Sequence, residues 1–435
     1  MRRKRSRTGI SIGTAATLVF LSLLAVGCVL IFPKLLGHVD QRVNPQQVGV
    51  ALEKSLRAFG DSVLGQETEL PVTTAPPAAG PTAAPLEPQT PAPAQRLTIT
   101  AAGELHFDRD IQTAATSDTG YTFDFQLERL KTRLTGDLNL VTLQNIVLPQ
   151  EKLTNINMPA AALGAMAGAG FNVVCTGFYG ALNGGVDGLN NTLSLIQQNG
   201  MLPYGTYLSA EQRSRVATRD VNGVTVAFLS FQGELSAEGK KATTKEEQGY
   251  VFAPLTLPAI TAEISAARAA GAKIVVVSLC WGREGAAEPT KLQTEMANGI
   301  ASAGADIILG TNPGVLQKVE ILTTARADGT QRQTLCAYSL GSVLNSDRAD
   351  RSVITSAMLT MALRYDLATD VLTFENITYS PIYIWRGRLN GKTAYQPVFA
   401  NEAAPAYMDA DQQSVMERAL ADVRQLFANT LIQEQ

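Results

Sequence analysis

From residue 96 onward, short apolar runs alternate with segments whose apolar residues recur at helical spacing. No other feature constrains the fold as strongly, because strands alternating with helices mean an α/β domain. A first strand is read in "RLTITAAGE" (96–104). Further strands are read in "DLNLVTLQ" (137–144), "FNVVCTG" (171–177), "VTVAFLSF" (224–231), "KIVVVSLCWG" (273–282), "ADIILG" (305–310) and "TLCAYSLG" (334–341). Helices are read in "PAAALGAMAGAG" (159–170), "VDGLNNTLSLIQQNG" (186–200), "PAITAEISAARAAGA" (258–272) and "PTKLQTEMANGIASAG" (289–304). Gly200 can cap the second of these, and the fourth has Pro in its first turn and Gly at its end. Residues 356–366 and 371–385 alternate more as antiparallel strands do. The tail is an amphipathic helix with Val415, Ala419, Val423 and Leu426 on one face.

The segment before residue 96 has a different character. "MRRKRSRTG" carries five basic residues and no acidic one, and residues 10–32 are uncharged and apolar or small. As a helix they would extend about 35 Å, enough to cross hydrocarbon. Basic residues on their N-terminal side place that end in the cytoplasm and the rest of the chain outside. A cleaved signal peptide is the weaker reading, since the run is long and lacks an A-x-A site. A lipoprotein reading ending at Cys28 is weakened by the apolar "VLIF" that follows it. Val48, Leu52, Leu56 and Phe59 give a short juxtamembrane helix, and the Pro/Ala/Thr-rich stretch 66–95 reads as a disordered spacer. The expected organisation is a basic tail (1–9), a membrane span (10–32), a juxtamembrane segment (33–65), a linker (66–95), an α/β domain (96–400) and a C-terminal helix (401–435). The expected location is the cell membrane, single-pass, with the main domain extracellular.

Composition narrows the chemistry. The chain has 435 residues, 45% hydrophobic and 17% charged, so it can build a large core. A net charge of −3 leaves no basic footprint for nucleic acid. Four cysteines do not make a disulfide framework, and there are only two histidines, His38 and His106. In "LGTNPGVLQ" (309–317) a buried strand ends in a small-residue loop, the place where α/β enzymes usually put their chemistry. Thr311, Asn312 and Gly314 there are poor metal ligands and poor acid/base groups.

Several separated motifs keep one order. Gly103-Glu104 ends the first strand, "DLNLVTLQ" carries Gln144 at its end, and "TGFYGALNGG" follows the third. "GLNNTLSLIQQNGMLPYGTY", Cys280-Trp281-Gly282 with Glu284 after it, "GTNPGVLQ" and Tyr338-Ser339-Leu340-Gly341 complete the series. In this order the sequence resembles the CapA family, the capsule or poly-γ-glutamate synthesis proteins, over roughly residues 96–400. The resemblance implies a calcineurin-like metallophosphatase sandwich, two β-sheets flanked by helices. It also implies a metal site at positions held here by Glu104, Gln144, Tyr179, Gly180, Cys280, Thr311, Asn312 and Gly314, with Asn183 in place of an Asp and Ser342 in place of an Asn. The framework is kept and the ligand types are changed.

The residues support the same reading. A two-metal hydrolase needs several anionic or imidazole ligands converging on one point. Gln144 and Asn312 offer neutral carbonyls, and Gly180 and Gly314 no side chain. His106 reads as a loop or surface histidine, and Glu104, Asp108 and Asp110 more readily as a solvated run than as a cation site. Cys175 and Cys280, near the ends of neighbouring strands, read as small buried residues before a thiol pair; Cys336 reads as core. Ser339 and Ser342 lack a histidine partner. Tyr179, Trp281, Arg283 and Glu284 are candidates for a ligand cleft, with Arg283 and Glu284 as an exposed ion pair.

The expected function is therefore a membrane-anchored, extracytoplasmic CapA-like binding or scaffolding component in surface-polymer synthesis, a pseudoenzyme without a divalent-metal cofactor. Its expected partners are the membrane and an anionic polymer or polymer-synthesis proteins, not nucleic acid. The alternatives are a divergent hydrolase rebuilt around Glu104, Asp108 and Glu284, and a surface interaction protein unrelated to polymers.

Overall fold

The structure is a computed structural model, and it describes residues 94–149, 154–326, 329–428 and 430–435. The basic tail, the candidate membrane span, the juxtamembrane segment and the spacer up to residue 93 lie outside the described residues.

The chain opens with β1 (Gln95–Leu105), β2 (Leu138–Leu143), β3 (Val173–Cys175) and β4 (Leu202–Tyr204). It continues through β5 (Ala217–Val221), β6 (Val224–Gln232), β7 (Ile274–Cys280), β8 (Ile307–Thr311), β9 (Val319–Ala325) and β10 (Gln331–Ala337). β11 (Ser342–Leu344), β12 (Thr355–Asp366), β13 (Val371–Leu389) and β14 (Lys392–Phe399) close the series. The principal helices are α1 (Arg109–Ala114), α2 (Ala161–Ala169), α3 (Gly185–Gln198), α4 (Leu257–Ala269), α5 (Lys291–Ala303) and α6 (Ala410–Phe427).

These strands make two mixed sheets. The first runs β14-β13-β12-β1-β2-β3-β4, with β11 paired to β1 and Gln433–Glu434 to β13. Its β1 to β4 half is parallel; β12 and β13 are antiparallel as the alternation of residues 356–366 and 371–385 predicts, and β14, which that pattern does not include, pairs antiparallel to β13. The second runs β9-β10-β8-β7-β6-β5, parallel except at its edge strands β9 and β5, with Ala253–Pro254 paired to β6.

Side-chain alternation stacks the layers. Ile274 and Val276 of β7 meet Leu97, Ile99 and Leu140 of the first sheet in a core between the sheets. Val275, Val277 and Leu279 point the other way, onto Ile260 and Ile264 of α4 and Ile300 of α5. On the outer face of the first sheet, Ile111 of α1, Leu163 and Met166 of α2 and Met416 of α6 pack over Leu105, Leu143 and Val174. The result is a four-layer α/β/β/α sandwich, the two-sheet architecture expected from the sequence.

Several boundaries move. Residues 334–341 do not form one strand: β10 ends at Ala337, and a turn at Gly341, with φ +73°, leads into β11. Pro289 lies outside α5, which begins behind a Thr290 capping box closed by Gln293 and ends at left-handed Gly304. The buried stripe of α6 is Met416, Ala419, Val423 and Phe427; Val415 and Leu426 lie at its margins, only partly buried. This helix contributes to both the outer and the inter-sheet cores, so it is integral to the same compact unit.

Candidate functional site

The site lies where the C-terminal ends of β1, β3, β7 and β8 approach one another between the sheets. Its central side chain is set by an irregularity in β1. Ala101 pairs with Leu140 and Glu104 with Thr142, so three steps along β1 match two along β2. Such a bulge re-aims a side chain. Leu97, Ile99 and Ala101 face the inter-sheet core, but Ala102 and Leu105 face the helices, so the alternation changes phase at residues 103–104. Gly103 makes this possible: a Cβ there would sit 1.8 Å from the Gly341 carbonyl oxygen, which accepts the Glu104 N–H at 2.9 Å.

Glu104 is thereby turned toward the second sheet. Its Oε1 accepts the backbone N–H of Asn312 at 2.7 Å and of Gly314 at 3.3 Å, and its Oε2 accepts Gln144 Nε2 at 3.0 Å. The loop after β8 is shaped for this. Asn312 has φ +89° and Gly314 φ +66°, while Pro313 between them has no N–H to place. Asn312 Nδ2 donates to the carbonyls of Trp281 and Gly282, both at 3.2 Å, which holds the loop against the end of β7. Burial pushes the Glu104 carboxyl up to about 7, against the two backbone N–H bonds that favour its charge; the Glu284 carboxylate adds to the rise.

Burial favours the protonated form of the neighbouring thiols. Burial raises Cys280 to about 12, helped by the Glu104 and Cys175 charges, against a hydrogen bond from the Tyr179 backbone. Cys175 is fully buried, 3.4 Å from Ser230 Oγ, and its pKa is also raised by burial. The two cysteines belong to different sheets rather than to neighbouring strands, and both are free thiols. Cys336 is core, as its strand predicts.

The other predicted residues take structural parts. Trp281 is buried, stacked on Tyr338 at 5.6 Å, with its indole N–H on the Tyr338 carbonyl at 2.9 Å; packing replaces its ligand-cleft reading. Gly310 makes room for this, because a Cβ would lie 1.9 Å from that carbonyl oxygen. Thr311 is buried with its hydroxyl toward the Leu279 carbonyl. Gly180 is packed: a Cβ would lie 2.9 Å from the Phe178 ring. Asn183 accepts the Ser236 hydroxyl, Ser342 is buried, and Ser339 Oγ accepts the Gly341 N–H at 3.2 Å. Tyr179 is 51% exposed, and Arg283 and Glu284 are exposed without forming the expected ion pair among the described residues.

His106 follows β1 in a loop, partly buried, with Nε2 2.7 Å from the Asn155 carbonyl. Asp108 is buried rather than solvated: it caps α1 through Asp110 and Ile111 N–H and accepts the Ser346 N–H at 2.6 Å. Asp110 is exposed in the first turn of that helix. Both oxygens of Asp108 are thus engaged within the fold, and Glu104, Asp108 and Glu284 do not form a carboxylate cluster. Among the described residues no three His, Cys, Asp or Glu side chains converge. One carboxylate bound to three protein N–H donors, a primary amide, a protonated thiol and two glycines do not fit a two-metal centre. Sequence reading found these positions but missed why Gly103, Gly310 and Gly341 are there; a glycine inside or just past an apolar strand is the available signal.

The family model described as "Bacterial capsule synthesis protein PGA_cap" matches residues 98–347. The chain belongs to that family. It is 29% identical over 204 residues to the PGA biosynthesis protein CapA of Bacillus subtilis (strain 168), covering 47% of this chain and 50% of that one. It is 26% identical over 253 residues to the capsule biosynthesis protein CapA of Bacillus anthracis, covering 57% and 59%. The matched region therefore spans half to about three-fifths of each of these relatives. Among solved structures, the calcineurin-like phosphoesterase YfkN from Bacillus subtilis aligns with a TM-score of 0.35 and 13% identity, over 78% of this chain and 98% of that chain. The sandwich described above is read from strand pairing and does not rest on that likeness. Among the described residues no helix is long and apolar enough to cross a membrane.

Proposed function

We propose that this chain is a non-catalytic binding or scaffolding component in the synthesis of a capsule or poly-γ-glutamate-type surface polymer. Its N-terminal segment holds it in the membrane with the sandwich domain outside the cell. Family membership and the names of the relatives support the link to polymer synthesis. The observation that carries the non-catalytic reading is Glu104: both its oxygens are engaged by protein donors, two from the loop after β8 and one from Gln144. The carboxylate ties one sheet to the other at the point where a hydrolase of this type would need free ligands.

One observation favours a divergent hydrolase, the Glu104 carboxyl pushed up to about 7, in the range of a general acid or base. Its engaged oxygens and the capping role of Asp108 weigh against it. Elemental analysis of the full chain and a phosphodiester assay with added Mn²⁺ distinguish the two readings. The proposal expects neither a stoichiometric transition metal nor turnover. About one tightly held Mn, Fe or Zn per chain, with turnover lost in Glu104→Gln, would overturn it.

A further inference from the structure

The end of the second sheet opposite the candidate site holds a cleft of about 270 Å³. Lys273 and Asp306 lie just before β7 and β8, whereas Cys280 and Thr311 end those strands. The cleft and the site are thus a strand length apart, about 20 Å for the 7 residues of β7. Arg268 enters from the last turn of α4, Arg326 and Arg332 from the two arms of the β9–β10 hairpin, and Tyr365 and Asp370 from the end of β12 and the turn that follows it.

Two of the cations are matched. Asp306 accepts Arg268 Nη2 at 2.5 Å and the Val275 N–H at 2.8 Å, and Arg268 also donates to the carbonyls of Ala272, Lys273 and Gly304. Lys273 Nζ lies 2.8 Å from Asp370 Oδ1, which also accepts the Tyr365 hydroxyl at 3.1 Å.

Arg326 and Arg332 are left without a close carboxylate among the described residues. Arg332 Nε is 4.0 Å from Asp306 Oδ1, beyond hydrogen-bond range, and Arg326 reaches only the Asp370 carbonyl, at 3.5 Å. The Nε atoms of Arg268, Arg326 and Arg332 are all enclosed with no acceptor among the described residues. Gly304 gives the Arg332 guanidinium its place, since a Cβ there would lie 2.5 Å from Nη1. Burial draws the Arg332 pKa down, and the Arg268 and Arg326 charges add to this against the opposing pull of Asp306.

Four cations against two carboxylates among the described lining residues, two of the cations without a close carboxylate there, are an arrangement that one ligand type completes. Guanidinium forks match the geometry of oxyanions, and charge-assisted bonds to them are among the strongest polar contacts. We propose that this cleft binds an oxyanion, a phosphate or a pair of carboxylates, held by the guanidinium groups of Arg326 and Arg332. The proposal is independent of the role assigned to Glu104.

Calorimetric titration of the full-length chain with inorganic phosphate, with succinate and with chloride at matched ionic strength tests it. Saturable binding of phosphate or succinate, but not chloride, is expected. Saturation by phosphate alone assigns a phosphoryl ligand, and saturation by succinate alone assigns carboxylates. The double variant Arg326→Gln/Arg332→Gln should bind about tenfold or more weakly, since each charge-assisted bond is substantial. No saturable heat with either anion, or undiminished binding by the folded double variant, would overturn the proposal. A second measurement needs no variant: the bound anion should protect Arg326 and Arg332, but not exposed Arg283, from phenylglyoxal, read by mass spectrometry. Absence of that protection likewise overturns it.

Discussion

Glu104 shows how one residue type acquires a new role when its surroundings change. Its carboxyl is raised to about 7, while an unfolded glutamate titrates near 4.5. Between those values the folded chain keeps a proton that the unfolded chain has released. The Glu104 contribution to stability is therefore lost as pH rises through this window, by about 3 kcal/mol. Glu104→Gln keeps an oxygen for the Asn312 and Gly314 N–H groups and, if the Gln144 amide turns over, offers it a donor. Denaturant melts at pH 5 and pH 8 should show the wild type weakening with pH more steeply than the variant, which retains only the smaller effect of the other raised carboxyl, Glu263, with the variant the more stable at pH 8. Equal slopes would show that Glu104 is not the titrating group. The described cysteines give a second residue-scale test. Cys175, Cys280 and Cys336 all have raised pKa values, chiefly through burial, so they are protonated at neutral pH. In the native chain at pH 8 these three should resist iodoacetamide and react only after unfolding, as read by peptide mapping. Rapid labelling of Cys280 in folded protein would restore the reactive-thiol reading.

Among the elements, α6 carries more than its place at the end of the chain suggests. Phe427 stacks on Tyr379 of β13 with ring centroids 4.1 Å apart, and the Arg351–Asp422 and Arg424–Glu434 pairs lie on the C-terminal part of the helix. The pairs are largely exposed and contribute little. The apolar stripe holds the helix. Phe427→Ala should cost about 3–4 kcal/mol in a denaturant titration, in the range of buried aromatic truncations. A loss below about 1 kcal/mol would mean that the helix is not part of the cooperative unit. The buried face of this helix differs in part from the one its spacing predicts, because its apolar residues fill more than one spacing. Val415 and Leu426 fit a helical period as well as Met416 and Phe427 do, and only the two cores it joins select between them.

For the whole molecule, the uncharged span of residues 10–32 behind a basic tail predicts a single membrane pass with the sandwich outside. Protease added to intact, wall-stripped cells should cut in the Pro/Ala/Thr spacer of residues 66–95 and release the folded domain. A domain protected in such cells would require the opposite topology. That experiment addresses location alone. The metal analysis addresses the site between the sheets, and the anion titration addresses the cleft at the other end of the second sheet, so the three outcomes are separable.

What the sequence determined by itself was the α/β class and the existence of most of the strands, because apolar periodicity is a local property that each segment carries alone. The order of its separated motifs also pointed to the family, since those motifs are read residue by residue. Which face a side chain takes at a strand end was decided only by tertiary structure. A strict alternation would put Glu104 on the helix-facing side with Ala102, yet the bulge that Gly103 and Gly341 permit turns it inward onto Asn312 and Gly314. The sheet membership of Cys175 and Cys280, the bond from the Ser346 N–H to Asp108 and the meeting of Arg268, Arg326 and Arg332 were equally out of reach of local pattern. Each depends on backbones far apart in the chain approaching within hydrogen-bond distance, and the free energy of that approach belongs to the packed sheets rather than to any one segment.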